Sequence, residues 1–160
     1  MARPVPVALV LALLAGGACA APRPGPSRSS PLDACHPMNV GAGLRYDCDG
    51  YTAAFHDAPP DVAADPRHEL DEMVAGLVDG FQSLTEKFNA KIRVHKSARE
   101  IAGTAVLAAE VTVDHPTTAG MSYAAGYAVV SGRRGIICSA STGVALERCG
   151  PVIRYLLEDR

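Results

Sequence analysis

The chain has 160 residues, 48% of them apolar but only 5% aromatic, with no tryptophan and a net charge of −2. So small a charge supplies no global field for nucleic acid. The length allows one domain, with a core resting on Ala, Val, Leu and Ile, and the sequence holds no internal repeat, no heptad run and no second long apolar segment after the N-terminal one.

Residues 1–20 have the layout of a secretory signal peptide: Arg3 supplies positive charge, Val7 to Ala15 form an uncharged apolar core, and small residues follow. The core is shorter than the roughly 20 apolar residues a bilayer span needs. Two processing readings stand. Ala18 and Ala20 fit the small-x-small pattern before cleavage, with the mature chain starting at Ala21. Alternatively, Cys19 is the lipidated first residue of a lipoprotein, although Gly16 stands where a lipobox has Leu, Val or Ile. Residues 21–34, rich in Pro and Ser, read as an extended linker between envelope and domain. With Cys19 set aside, four cysteines remain, an even number that suits an oxidising compartment.

Residues 35–160 read as a single domain. From Leu44 to His56 the residues Tyr46, Cys48, Tyr51 and Phe55 predict a strand or bent hairpin, broken at the turn dipeptide Asp49-Gly50. Asp65 and Pro66 then open a helix. Leu70, Met73, Val74, Leu77, Val78, Phe81, Leu84 and Phe88 recur at three- and four-residue steps along about six turns, and Asn89 ends them. Gly76 and Gly80, four apart, are read as points of close packing against a sheet. After Asn89 the period changes to two. Ile92 and Val94 alternate with Lys91, Arg93 and His95, and Thr104 to Val113, Met121 to Val130 and Ile136 to Ala140 follow as strands. The short links, Asp114 to Gly120 and Ser131 to Gly135, imply an antiparallel meander. Val144 to Glu158 is helical in pattern, with Leu146, Cys149, Ile153, Leu156 and Leu157 on one face; Gly150-Pro151 predicts a kink or a late start.

These elements give an α+β domain: an antiparallel sheet of about four to five strands, covered on one side by the long helix and a C-terminal helix. Four cysteines allow three connectivities. Proximity favours Cys35 with Cys48 and Cys138 with Cys149, each closing a loop of about a dozen residues and stabilising by roughly 3 kcal/mol.

Three stretches carry a family resemblance. Asp49-Gly-Tyr-Thr-Ala-Ala-Phe55 looks like an opening strand, Ile101-Ala-Gly-Thr-Ala105 like the entry to a central hairpin, and Gly132-Arg-Arg-Gly-Ile-Ile-Cys138 leading to Val152-Ile-Arg-Tyr-Leu-Leu157 like a last strand and closing helix. Over residues 44–158 the chain resembles the PsbP-like fold, a group of extrinsic photosystem subunits and small bacterial exported proteins and lipoproteins. The resemblance implies the element order and an exported address; it carries over no functional residue.

Candidate chemistry is sparse. The five histidines, His36, His56, His68, His95 and His115, form no H-x-x-x-H cluster, and no C-x-x-C accompanies them. His56 with Asp57, Asp61 and His68 is the nearest approach to a metal set, and separate surface histidines are the simpler reading. Cys35-His36 is no nucleophile pair, since neighbouring side chains of an extended segment point apart. Cys138-Ser-Ala-Ser-Thr-Gly143 lacks the G-x-S-x-G elbow, and Gly41-Ala-Gly43 lacks the strand that precedes a phosphate loop. Glu69, Asp71 and Glu72 form the wet face of the long helix.

One asymmetry stands out. Asp57 to Asp79 is acidic, whereas Lys87, Lys91, Arg93, Lys96 and Arg99 are basic. Lys91, Arg93 and His95 would project from one strand face, either as a solvated face balancing the neighbouring acidic helix or toward an anionic partner. The expectation is therefore a non-catalytic exported envelope protein that binds another protein or a surface ligand, without a cofactor, without nucleic acid, and touching membrane only through a lipid anchor. The alternative is a metal-dependent or enzymatic module that uses the histidines.

Overall fold

The structure is a computed structural model that describes residues 29–61, 63–114, 122–141 and 145–159. The signal segment, Cys19 and the linker up to residue 28 lie outside the described residues, as does the connection 115–121. The chain order is β1 (His36–Val40), β2 (Gly43–Cys48), β3 (Tyr51–Asp57), α1 (Pro66–Phe88), β4 (Lys91–Ile101), β5 (Thr104–Asp114), β6 (Ser122–Ser131), β7 (Arg134–Ser141) and α2 (Ala145–Glu158). All seven strands join one antiparallel sheet in the order β1-β2-β3-β7-β6-β5-β4.

The sheet is thus larger than the four to five strands expected. The segment Leu44 to His56 is a true hairpin of two strands, turning at Asp49-Gly50. The further strand, β1, is exposed along its whole length, and Met38 and Val40 are too short an alternation to announce it. It exists because its backbone pairs with β2, His36 opposite Asp47 through Val40 opposite Gly43. Pro37 fits there because β1 lies at the sheet edge.

The helices do not share one side of the sheet, as the sequence led us to expect; they cover opposite faces. Leu70, Met73, Val74 and Leu77 of α1 pack on Ala109 and Val111 of β5 and Ala128 and Val130 of β6. Cys149, Val152, Ile153, Leu156 and Leu157 of α2 pack on the residues of opposite parity: Val106 and Ala108, Ala125, Tyr127 and Val129, Ile136 and Cys138. Because side chains alternate across a strand, β5, β6 and β7 are buried on both faces. Their near-continuous runs of small and β-branched residues suit that position better than a half-wet one.

α1 begins where the sequence indicates. The Asp65 carboxylate accepts from the backbone N–H of Arg67 and His68, and Pro66 opens the first turn. Asn89, at φ 50°, closes the helix in the left-handed conformation. Gly76 and Gly80 are not contact points: a Cβ at either would meet nothing within 4 Å. The close approach is made by sheet glycines instead. A Cβ on Gly126 of β6 would lie 2.7 Å from Leu77 Cδ2, so the missing side chain lets α1 settle onto the sheet. α2 runs continuously through Pro151.

Two disulfides join Cys35 to Cys48 and Cys138 to Cys149. They favour an oxidising, exported compartment. The first ties the chain ahead of β1 to the end of β2; the second ties β7 to α2. The domain also begins earlier than residue 35. Leu32, within the stretch read as linker, is 6% exposed and packs in the α2-side core. Tyr51 Oη donates to the Pro31 carbonyl at 3.1 Å, and a turn between Ser30 and Asp33 holds this segment in place. No described helix is long and apolar enough to cross a membrane.

Candidate functional site

α2 packs on β3, β7 and β6 and shares a buried cluster with Val106 and Ala108 of β5, so the β4 edge of its sheet face stays exposed. Parity decides what stands there. Ile92 of β4 joins the α1-side cluster, and Lys96 reaches Asp71 of α1, Nζ to Oδ1 at 2.7 Å. The odd positions, Lys91, Arg93, His95 and Arg99, therefore fall on the α2 side, and all four are exposed. The structure places the predicted trio Lys91, Arg93 and His95 on one strand face, and adds Arg99 to the row. It also splits the basic stretch, because Lys96 faces away and Lys87 lies over the Phe88 ring at 5.3 Å.

The row is only partly neutralised. Arg93 pairs with Asp114 of β5, Nε to Oδ2 at 2.6 Å. Lys91 and Arg99 make no ion pair among the described residues. His95 stands opposite Glu110 in the β4–β5 register, and Glu110 stands opposite Tyr127 in the β5–β6 register. Tyr127 Oη donates to Glu110 Oε1 at 3.2 Å. Burial, and then the neighbouring Glu110 charge, push the Tyr127 phenol up to about 12.

At the Arg99 end the open face deepens into a cleft of about 930 Å³ between α2, the β4–β5 hairpin and the segment at Ser29–Pro31. Arg99 and Ile101 form one wall, Pro151, Ile153 and Arg154 of α2 the other, and Tyr127 lies between. The hairpin closes at Ala102 and Gly103, both at positive φ (52° and 75°), a geometry that matches the strand twist. Sequence reasoning missed Glu110, Tyr127 and Arg154. Glu110 left one signal, a lone charge within the apolar run of β5.

The other candidates resolve differently. His56 Nε2 meets Glu69 Oε1 of α1 at 2.6 Å, Asp57 pairs with Arg134, and His68 pairs with Glu72 one turn on. Among the described residues no three His, Cys, Asp or Glu side chains form a metal-binding group; His115 lies outside them. Cys35, Cys48, Cys138 and Cys149 are all disulfide-bonded, which leaves no thiolate at Cys35-His36. Gly41 lies in the β1–β2 turn, and Ser139 meets Thr52 across β3–β7, Oγ1 to Oγ at 2.9 Å.

No protein-family model matches this chain, and no curated protein matches it in sequence.

Proposed function

We propose that this protein is a non-catalytic binding domain of the cell envelope, which engages an anionic protein or surface ligand through the open α2-side face of β4. One observation carries the reading: Lys91, Arg93, His95 and Arg99 form an exposed row on a sheet face that α2 leaves uncovered. Aligned cations on a rigid strand attract and orient an acidic partner. The two disulfides supply stiffness and fit an exported address. The signal-like segment 1–20, the Pro/Ser-rich stretch after it and the lipidation candidate Cys19 extend that address toward a membrane anchor. Kinship with PsbP-like exported proteins rests on element order and the three quoted stretches.

The test is site-specific photo-crosslinking in the native envelope. A crosslinker at His95 is expected to give a discrete adduct that one at Asp79, on the exposed side of α1, does not. Equal adducts from both positions, or none from His95, would reject the reading.

A further inference from the structure

The cleft beside the cation row has a character of its own. Its size falls within the roughly 300–1,000 Å³ of small-molecule sites. Its walls are apolar at Ile101, Pro151 and Ile153, and each carries one guanidinium, Arg99 from β4 and Arg154 from α2. Neither arginine makes a hydrogen bond or ion pair among the described residues. Elsewhere in the fold, Arg45, Arg93 and Arg134 each hold a carboxylate.

No carboxylate nearby forms an ion pair with either arginine among the described residues. Glu100 also borders the cleft, and its even position on β4 turns its side chain toward the opposite face. Glu158, four residues beyond Arg154 on α2, also lines the cleft and has an interaction of its own. Glu110 is held by the Tyr127 hydroxyl. Guanidinium groups bind carboxylate and phosphate through paired N–H donors, while the aliphatic walls accept a hydrocarbon body.

We infer that the cleft binds a small amphipathic anion, its carboxylate or phosphate held by Arg99 and Arg154 and its apolar part laid between Ile101 and Ile153. This site borders the protein-facing row and shares Arg99 with it, but takes its second guanidinium from α2 and goes beyond that reading.

Isothermal titration of the full chain with decanoate, decyl phosphate and decanol tests the assignment. Saturable binding is expected for at least one of the two anions, and which one binds separates a carboxylate from a phosphate source. Binding should carry a negative heat-capacity change from apolar burial, and decanol should bind at least tenfold more weakly. Arg154→Gln and Arg99→Gln should each weaken the anion at least fivefold with Tm unchanged, because both side chains are exposed and unbonded. Lys91→Gln with Arg93→Gln should leave it unchanged, so that a failure of the row and a failure of the cleft are told apart. Equal binding of decanol, indifference to both arginine variants, or no saturable binding of either anion would overturn the inference.

Discussion

Asp57 and Arg134 stand opposite each other in the β3–β7 register, and their side chains close a two-point ion pair, Nε to Oδ1 and Nη2 to Oδ2, both at 2.7 Å. The same guanidinium lies 5.0 Å from the Phe55 ring centre and donates from Nη1 to the carbonyls of Leu156 and Asp159. One side chain thus joins the middle of the sheet to the C-terminal end of α2, whose last carbonyls have no partner within the helix.

Arg134→Met should therefore destabilise by about 2–3 kcal/mol, because charge-assisted bonds to a partly buried group are lost and α2 loses its end cap. Urea unfolding measures the loss, and hydrogen exchange should quicken first at the last turn of α2. Lys should not rescue the variant, since it lacks the planar fork.

The two disulfides should behave differently on removal. Cys138 and Cys149 are wholly buried, so replacing both with Ala should cost about 3 kcal/mol or more and lower Tm globally. Replacing Cys35 and Cys48 should chiefly release the segment from Leu32 to β1, seen as faster exchange there with slow exchange retained in β5–β7.

Glycine substitutions should split by element. Gly76→Ala and Gly80→Ala face open space on a helix and should each stabilise by about 0.5–1 kcal/mol. Gly126→Ala must displace Leu77 and should destabilise by about 1–3 kcal/mol. Thermal denaturation distinguishes the two classes.

The Tyr127 phenol sets an alkaline limit. Its pKa lies near 12 in the fold against 10.0 ordinarily. Between those values the folded chain holds a proton that the unfolded chain has lost, so stability is full below pH 10 and falls as pH rises through 12. The loss is about 2–3 kcal/mol. Tyr127→Phe should flatten this dependence, measured by urea midpoints across the window.

How far the sequence revealed the fold depended on the kind of signal. α1 was legible from cap to cap, because Asp65, Pro66, Asn89 and the three-four spacing of Leu70 to Leu77 all act locally. The cysteine pairing was legible because each partner lies within a short loop. Two-sided burial was missed although Ala124 to Val130 carries apolar residues at both parities, since searching for alternation presumes one wet face. β1 was illegible because Met38 and Val40 are its only in-phase apolar pair, too short a pattern beside Pro37, and both stay exposed; only a neighbouring strand makes it one. At the site, the side of β4 that carries Lys91, Arg93 and His95 followed from period two. The cleft did not, because Arg154 and Arg99 meet only after α2 has been laid along the sheet.

The strand order has a consequence for when the sheet can close. β3 finds its second neighbour in β7, so Thr52 waits for Ser139, 87 residues later. The intervening β4–β5–β6–β7 meander is local, but the β1–β2–β3 ribbon can join it only after the penultimate element exists. Such late, long-range closure slows folding, because loop-closure entropy comes before any contact is gained. Until β7 is available, β3 therefore lacks its second neighbour, and the β1–β2–β3 ribbon stays unlocked from the rest of the sheet.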